Sequence, residues 1–125
     1  MPFTVHHDPD LGLATLTFTG TITNEDLVGS SIQCIALQKA TGCMRYLIES
    51  ANWDLAASSV DIYALPAREY PKAEVDRRTR IAITQPSNER AREAARFYES
   101  TCRNRGWNAR VHPDRQSAIA WLKEG

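Results

Sequence analysis

The sequence predicts an α/β fold: one domain over residues 1–125, with a mixed, mostly parallel five-stranded sheet and about four helices. Two alternating segments joined by a turn open the chain, and apolar strands then alternate with amphipathic helices in the order β-β-α-β-α-β-α-β-α. A content of 42% hydrophobic and 24% charged residues is typical of a globular domain. Because each later strand follows a helix, we expect those strands to be parallel, with right-handed crossovers.

The first two strands are predicted from period-two patterning. Apolar and polar residues alternate from Phe3 to His7, and residues 8–12 are dense in turn formers. Apolar residues then alternate, mainly with threonines, from Leu13 to Thr19, so the two segments predict an antiparallel hairpin. We expect Gly20–Ile22 to end this hairpin.

The first helix begins with a capping sequence, Thr23-Asn24-Glu25-Asp26, which combines a hydroxyl or Asx cap with early acidic residues. Apolar residues at the helical period then predict an inward face that continues to about Lys39, formed by Val28, Ile32, Ile35 and Ala36. Thr41-Gly42 stops the helix, and an apolar strand is predicted from Met44 to about Ser50.

The stretch from Ala51 to Pro71 is harder to assign. Trp53 falls in an expected loop, and apolar spacing predicts a helix that begins near Ser58 or Ser59. Pro66 and Pro71 lack the backbone N–H that a helix interior requires, so we expect them to end this helix in a loop or a short helical turn.

Two further strand–helix pairs complete the chain. Residues 79–84 are predicted to form a strand, and residues 85–87 to turn into the longest helix, which Arg105-Gly106 ends. One face of this helix carries Ala91, Ala94, Ala95, Tyr98 and Cys102. Ala109 to His112 forms the last strand. A final helix follows Pro113-Asp114.

Charge and hydropathy exclude several classes of protein. Fifteen basic residues balance fifteen acidic residues, which gives no general attraction to nucleic acid. The longest apolar run, Ala118 to Leu122, is far too short to span a membrane. The first residues lack the pattern of a signal peptide, so we expect a cytoplasmic location.

Metal, thiol and cofactor chemistry are not predicted. His6 and His7 are adjacent on a strand and point to opposite faces, so they cannot easily share a metal ion. Three cysteines, at positions 34, 43 and 102, form no Cys-x-x-Cys pair, and we expect reduced, mostly buried thiols. Dinucleotide, P-loop and nucleophile-elbow motifs are also missing, so the sequence predicts no cofactor.

Polar residues follow the predicted parallel strands at their carboxyl ends, which is where ligands bind in such sheets. These residues could bind an anion or simply cap helices. Glu49 could be a buried acid and His112 a base, but no nucleophile accompanies them, so we predict no catalytic residues and no enzyme.

Aromatic residues and arginines suggest two surfaces. Four residues after the third predicted strand could mark an interface or a ligand pocket, or could be core cover: Trp53, Leu55, Tyr63 and Tyr70. The basic residues Arg68, Lys72, Arg77, Arg78 and Arg80 cluster before and within the fourth predicted strand. This cluster could bind an acidic partner or a phosphate, or could be neutralised by the acidic first half of the chain.

The chain resembles STAS-type domains, and more closely their SpoIIAA-like branch, which is related in fold to CRAL-TRIO lipid-binding domains. The resemblance covers nearly the whole chain and lies in residues 18–27, in Tyr46-Leu47-Ile48-Glu49-Ser50, in Ile81-Ala82-Ile83 and in residues 118–122. It implies a mixed sheet with helices on its faces and no catalytic set. The CRAL-TRIO kinship implies an apolar ligand cavity, although this chain lacks the extra helices that usually enclose one.

STAS proteins of the anti-sigma-factor-antagonist type carry a phosphorylated Ser or Thr in an Asp-Ser-Ser/Thr-Gly motif after the central strand. Ala57-Ser58-Ser59-Val60 lies at that place, so the resemblance implies Ser58 as the acceptor. This chain departs from the motif, because Ala57 replaces the acidic residue and Val60 replaces the glycine.

The sequence therefore predicts a noncatalytic STAS-like regulatory or protein-interaction module that partners with another protein or with itself as a homodimer. Its expected surface comprises Trp53, Ser58, Ser59 and Tyr63. The alternatives are a binder of a small lipophilic or anionic ligand and a partner switch phosphorylated at Ser58. A cavity lined by Trp53, Tyr63 and Leu65 would favour the ligand binder, whereas a solid core would favour the interaction module.

Overall fold

A computed structural model of the chain describes residues 3–49 and 53–124. The main sheet has the strand order β1-β2-β4-β6-β7, in which β1 is antiparallel to β2 and the remaining neighbours are parallel. The strands of the molecule are β1 (Phe3–Asp8), β2 (Leu13–Phe18), β3 (Gly20–Ile22), β4 (Arg45–Glu49), β5 (Trp53–Leu55), β6 (Arg80–Thr84) and β7 (Asn108–His112). The predicted α/β fold with an opening hairpin is confirmed.

Helices cover both faces of this sheet. They are α1 (Asn24–Thr41), α2 (Ser59–Ala64), a π-helical segment (Leu65–Glu69), α3 (Tyr70–Lys72), α4 (Glu89–Asn104) and α5 (Arg115–Lys123). Leu16 and Ile83 face α1, α2 and α4 in the larger core cluster, whereas Leu47 and Ala82 face α5 in a smaller one. Successive strand residues point to opposite faces, so the parallel strands supply both cores.

The first helix begins and ends where its sequence predicts. Thr23 Oγ1 accepts a hydrogen bond from the Asp26 N–H, and Asp26 Oδ2 accepts one from the Thr23 N–H, which forms a capping box. At the other end Gly42 has φ 75°, a left-handed conformation that glycine adopts without strain, and its N–H donates to the Gln38 carbonyl.

Two short strands correct the expected loops. Gly20–Ile22 does not merely end the hairpin, and Trp53 does not lie in a loop, because β3 and β5 pair in parallel as a separate two-stranded sheet. Three-residue strands have too little periodicity to be detected from sequence, and their pairing depends on the tertiary fold.

The helix after Ser58 also continues further than expected. Pro66 and Pro71 do not end it, because the chain passes through the π-helical segment into α3 and stops only after Lys72. The Tyr70 N–H donates to the Leu65 carbonyl, five residues back. The wider turn accommodates residues that cannot donate and that crowd the preceding turn of an α-helix.

Candidate functional site

The carboxyl ends of the parallel strands meet at one edge of the sheet. Thr17 pairs with Glu49, and Thr84 pairs with His112, so these strand ends lie in register. The predicted common edge is confirmed for the ends of β2, β4, β6 and β7. Ser50, which the sequence also places there, lies outside the described residues.

Polar side chains at this edge bind the protein itself. Asn88 Oδ1 accepts from the Ala91 N–H at 2.8 Å while its Nδ2 donates to the Trp53 carbonyl, and Asp114 caps α5. Glu49 Oε1 lies 2.6 Å from Arg115 Nε. The edge therefore uses its polar groups to hold helices and strands in place, as expected of caps.

His112 is buried at the end of β7, where its ring packs against Trp121 with 5.3 Å between centroids. Desolvation by burial, and secondarily the positive charge of Arg110, lowers the pKa of His112 below its ordinary value. The imidazole is therefore part of the packing between β7 and α5.

Three of the four residues of the predicted surface lie at α2, and the fourth, Trp53, is buried. Trp53 is 8% exposed and belongs to the core, whereas Ser58 and Ser59 are exposed at the start of α2. Tyr63, 38% exposed, accepts a hydrogen bond from Arg105 Nη2. Ser58, Ser59 and Tyr63 thus share a short helix, and Trp53 faces the interior beneath it.

Ser58 has the same local geometry as Thr23. Ser58 Oγ lies 3.0 Å from Asp61 Oδ2 and accepts from the Asp61 N–H at 3.3 Å, and Asp61 also accepts from the Ser58 N–H. The pair Thr23–Asp26 makes the same three contacts. Helix capping is therefore sufficient to explain this serine.

An apolar cavity lies between the sheet and the helices on the larger core's face. It has two neighbouring lobes of about 80 and 70 Å³, which share Leu16, Ser31, Ile48, Tyr70 and Tyr98. Trp53 and Leu65 line the first lobe, as the ligand hypothesis expected, but Tyr63 lines neither. Within the described part of the chain, no charged side chain lines either lobe.

A groove of about 280 Å³ borders this cavity on the outside. It lies between α1 and the helix that runs from α2 to α3, and Ser31 lines the groove and both lobes. The groove exists because α1 packs loosely: of its 18 residues, all described, Leu27 and Ser30 alone are buried. Ile32, predicted to face the core, is 61% exposed at the groove instead.

Hydrogen bonds fix the wall of the cavity that lies opposite the groove. The Tyr70 and Tyr98 hydroxyls are hydrogen-bonded at 2.6 Å, and Trp107 Nε1 donates to the Pro66 carbonyl at 3.0 Å. Burial raises the pKa of both tyrosines well above the ordinary value, so they stay neutral. These contacts attach the π-helical segment and α3 to α4 and β7.

Arginines of the predicted basic cluster are largely used in packing. Arg77 lies over the Trp107 ring at 3.8 Å, and Arg80 lies over the Trp121 ring at 4.3 Å. Arg78 pairs with Asp76 at 2.9 Å, and this hydrogen bonding lowers the pKa of Asp76 to about 2. These three arginines make separate contacts, so they do not together form a pocket for an anion.

The three thiols are free, and burial first of all raises the pKa of Cys34 and of Cys102 to about 12. Within residues 3–49 and 53–124, the side chains form no cluster able to hold a metal ion. Across the same ranges no helix has the length and hydropathy needed to cross a membrane.

Comparison with known proteins identifies the fold. No protein-family model and no curated protein matches the sequence. A similar solved structure is the crystal structure of an uncharacterized DUF3478-family protein with a SpoIIAA-like fold from Shewanella loihica PV-4. The two share 18% identity with a TM-score of 0.58, over 96% of this chain and 91% of that one. The chain thus has a SpoIIAA-like fold, which confirms the predicted STAS/SpoIIAA-like architecture.

Sequence reasoning missed part of the cavity. It pointed to Trp53, Leu55, Leu65 and Tyr70 and placed Tyr98 on an inward helix face, but it did not point to Ser31 or to the contact between the two tyrosines. One available signal was the distribution of apolar residues around α1: besides Ile32 and Ile35, residues such as Leu27 and Leu37 lie off any single stripe. A helix with apolar residues on several sides has more than one apolar surface to cover.

Proposed function

We propose that this chain is a noncatalytic SpoIIAA-like module that binds a small lipophilic molecule in the cavity between the sheet, α1 and the helix from α2 to α3. The supporting observation is the pair of apolar lobes bordered by an outer groove. An apolar pocket with few polar groups is typical of small-molecule sites. This cavity favours the ligand hypothesis over a module that acts only through a solid protein surface.

The lipophilic class fits better than the anionic class. A buried anion requires a positive partner or several donors, and uncharged side chains line the described walls of both lobes. The lobes together approach the roughly 150 Å³ at which an apolar cavity admits a ligand the size of benzene. A longer molecule could extend into the groove, where Val28, Ile32 and Ile35 offer apolar contacts.

A regulatory role would follow from the position of the ligand. The helix from α2 to α3 is attached to α4 and β7, whereas α1 is poorly buried on the other side of the groove. A ligand that contacts both walls would stabilise α1 against the sheet, since binding to the folded form stabilises it. A protein partner, or a second copy of this chain, could then recognise the ordered helix.

The same geometry supports a noncatalytic module. Glu49 is paired with Arg115, and His112 packs on Trp121, so these two candidate groups already have structural roles. The cavity walls are lined by apolar side chains, hydroxyls, an amide and a partly buried thiol of raised pKa. These groups suit binding more than proton transfer at neutral pH.

Binding can be tested with N-phenyl-1-naphthylamine, a neutral apolar dye whose fluorescence increases in apolar surroundings. We expect saturable binding to the wild-type protein. Ser31→Leu should weaken it at least about tenfold, because Ser31 lines both lobes and the groove. Gln33→Leu is the matched control, since Gln33 is exposed on the same helix and lines none of these spaces. Equal binding by both variants, or no binding by the wild type, would contradict the proposal.

A further inference from the structure

One residue that lines the first lobe has a buried polar atom with no partner among the described residues. Trp53 is more than nine-tenths buried, lines this lobe, and packs against Phe18 with 5.3 Å between ring centroids. Its indole Nε1 is buried and makes no hydrogen bond to any described residue. Buried donors are almost always paired in native structures, and a molecule bound in the lobe could supply the acceptor that the described residues do not.

Neighbouring polar groups are satisfied within the protein. The Tyr70 and Tyr98 hydroxyls bond each other, and Ser30 Oγ donates to the Leu27 carbonyl at 3.0 Å. The other buried side-chain nitrogens without a partner among the described residues belong to Arg80, Arg92 and His112, and all three lie outside the lobes. Trp53 Nε1 is therefore the donor that a molecule in this cavity could complete.

We propose that the ligand is an uncharged lipophilic molecule that carries a carbonyl oxygen, and that this oxygen accepts a hydrogen bond from Trp53 Nε1. The inference rests on the proposed function and specifies its ligand. An indole N–H donates but cannot accept, so an acceptor is required. A carbonyl provides one without the charge of a carboxylate, which the uncharged walls would not stabilise.

The test compares acetophenone with cumene, two aromatic molecules of nearly the same shape, of which only acetophenone has a carbonyl. We expect the ratio of acetophenone affinity to cumene affinity to be about three to ten times higher for the wild type than for Trp53→Phe, because this comparison cancels the different hydration of the two molecules and leaves one net hydrogen bond. In ¹⁵N-resolved NMR spectra, the Trp53 indole N–H resonance should move downfield with acetophenone more than with cumene.

Trp53→Phe removes the donor and keeps an aromatic ring. This variant should bind cumene within about twofold of the wild type and should bind acetophenone about three to ten times more weakly than the wild type does. Trp121→Phe is the matched control, because Trp121 packs on the other face of the sheet and its replacement should leave the affinity ratio unchanged. If Trp53→Phe does not fold, the indole shift in the wild type still tests whether Trp53 Nε1 donates to the carbonyl oxygen.

The possible outcomes distinguish the carbonyl inference from the proposed function. An affinity ratio that is the same in the wild type and in Trp53→Phe, without a larger indole shift for acetophenone, would overturn the carbonyl inference and leave lipophilic binding intact. A buried water on Nε1 would give this result. Binding of neither molecule, nor of the apolar dye, would overturn the proposed function itself.

Discussion

Two alanines on one face of α4 allow the cavity to be tested through stability alone. Ala91 and Ala95 are one helical turn apart and are 0% and 5% exposed. Ala95 lines the first lobe, whereas Ala91 lies in the packed core outside it. Ala95→Leu adds three carbon atoms to the empty lobe. Ala91→Leu adds the same three carbon atoms to a space that other side chains already fill.

The expected effects have opposite signs. An unfilled cavity costs about 24 cal/mol per Å³, so the lobe of about 80 Å³ corresponds to about 2 kcal/mol. Burial of three additional carbon atoms gives a similar upper limit. Since one leucine cannot fill the lobe perfectly, we expect Ala95→Leu to raise the free energy of unfolding by about 1 kcal/mol. Ala91→Leu should lower it by about 1–3 kcal/mol through overpacking.

Urea denaturation followed by circular dichroism measures both free energies. In thermal unfolding, 1 kcal/mol corresponds to roughly 4 °C for a domain of this size, so the two variants should melt about 8–16 °C apart. Ala95→Leu should also lose acetophenone binding, because the leucine occupies the ligand's space. If both variants were destabilised equally, the lobe would not be a persistent cavity and the reasoning would be refuted.

Three further predictions concern caps, pH and thiols. Ser58→Ala should lower the free energy of unfolding by about 1 kcal/mol, as Thr23→Ala should, because each change removes a capping hydroxyl. If kinases label the wild-type protein at Ser58 and do not label Ser58→Ala, Ser58 is a phosphoacceptor in addition to a cap. Folding lowers the pKa of His112, so as the pH falls the unfolded chain binds this proton before the folded protein does. The stabilisation by neutral His112 is therefore complete above about pH 6.5 and is lost as the pH falls below that value. Urea midpoints at pH 7.5 and 5.5 should therefore differ less in His112→Gln than in the wild type, and an unchanged difference would contradict the burial argument. Cys34 and Cys102 should react with a thiol reagent at pH 8 far more slowly in folded than in urea-unfolded protein, and equal rates would show that burial does not protect them.

Much of the fold was predictable because its signals are local. Thr23 and Gly42 mark the ends of α1 through hydrogen bonds within a few residues, and the alternation in β1 and β2 fixes which side chains face inward. By contrast, Gly20–Ile22 and Trp53–Leu55 are strands only because they meet across the fold. Neither segment is long enough to show a period of its own.

The candidate site was predictable only in part. The sequence pointed to Trp53 and Leu65 as cavity residues, and the structure places both at the first lobe. Tyr70 and Tyr98 are 28 residues apart and belong to different helices, so no motif relates them. Their contact depends on the π-helical segment, which continues the helix beyond Pro66, where the sequence predicted a break.

By itself the amino-acid sequence determined the order of strands and helices, the parallel arrangement after the hairpin and the caps, because these depend on periodicity and on groups close together in the chain. Tertiary structure alone decided that a groove separates α1 from the helix between Ser59 and Lys72, and that Trp53 Nε1 is buried without a hydrogen-bond acceptor among the described residues. The physical reason is that an empty space, and an unpaired donor beside it, result from how distant surfaces fit together. No single segment encodes that fit.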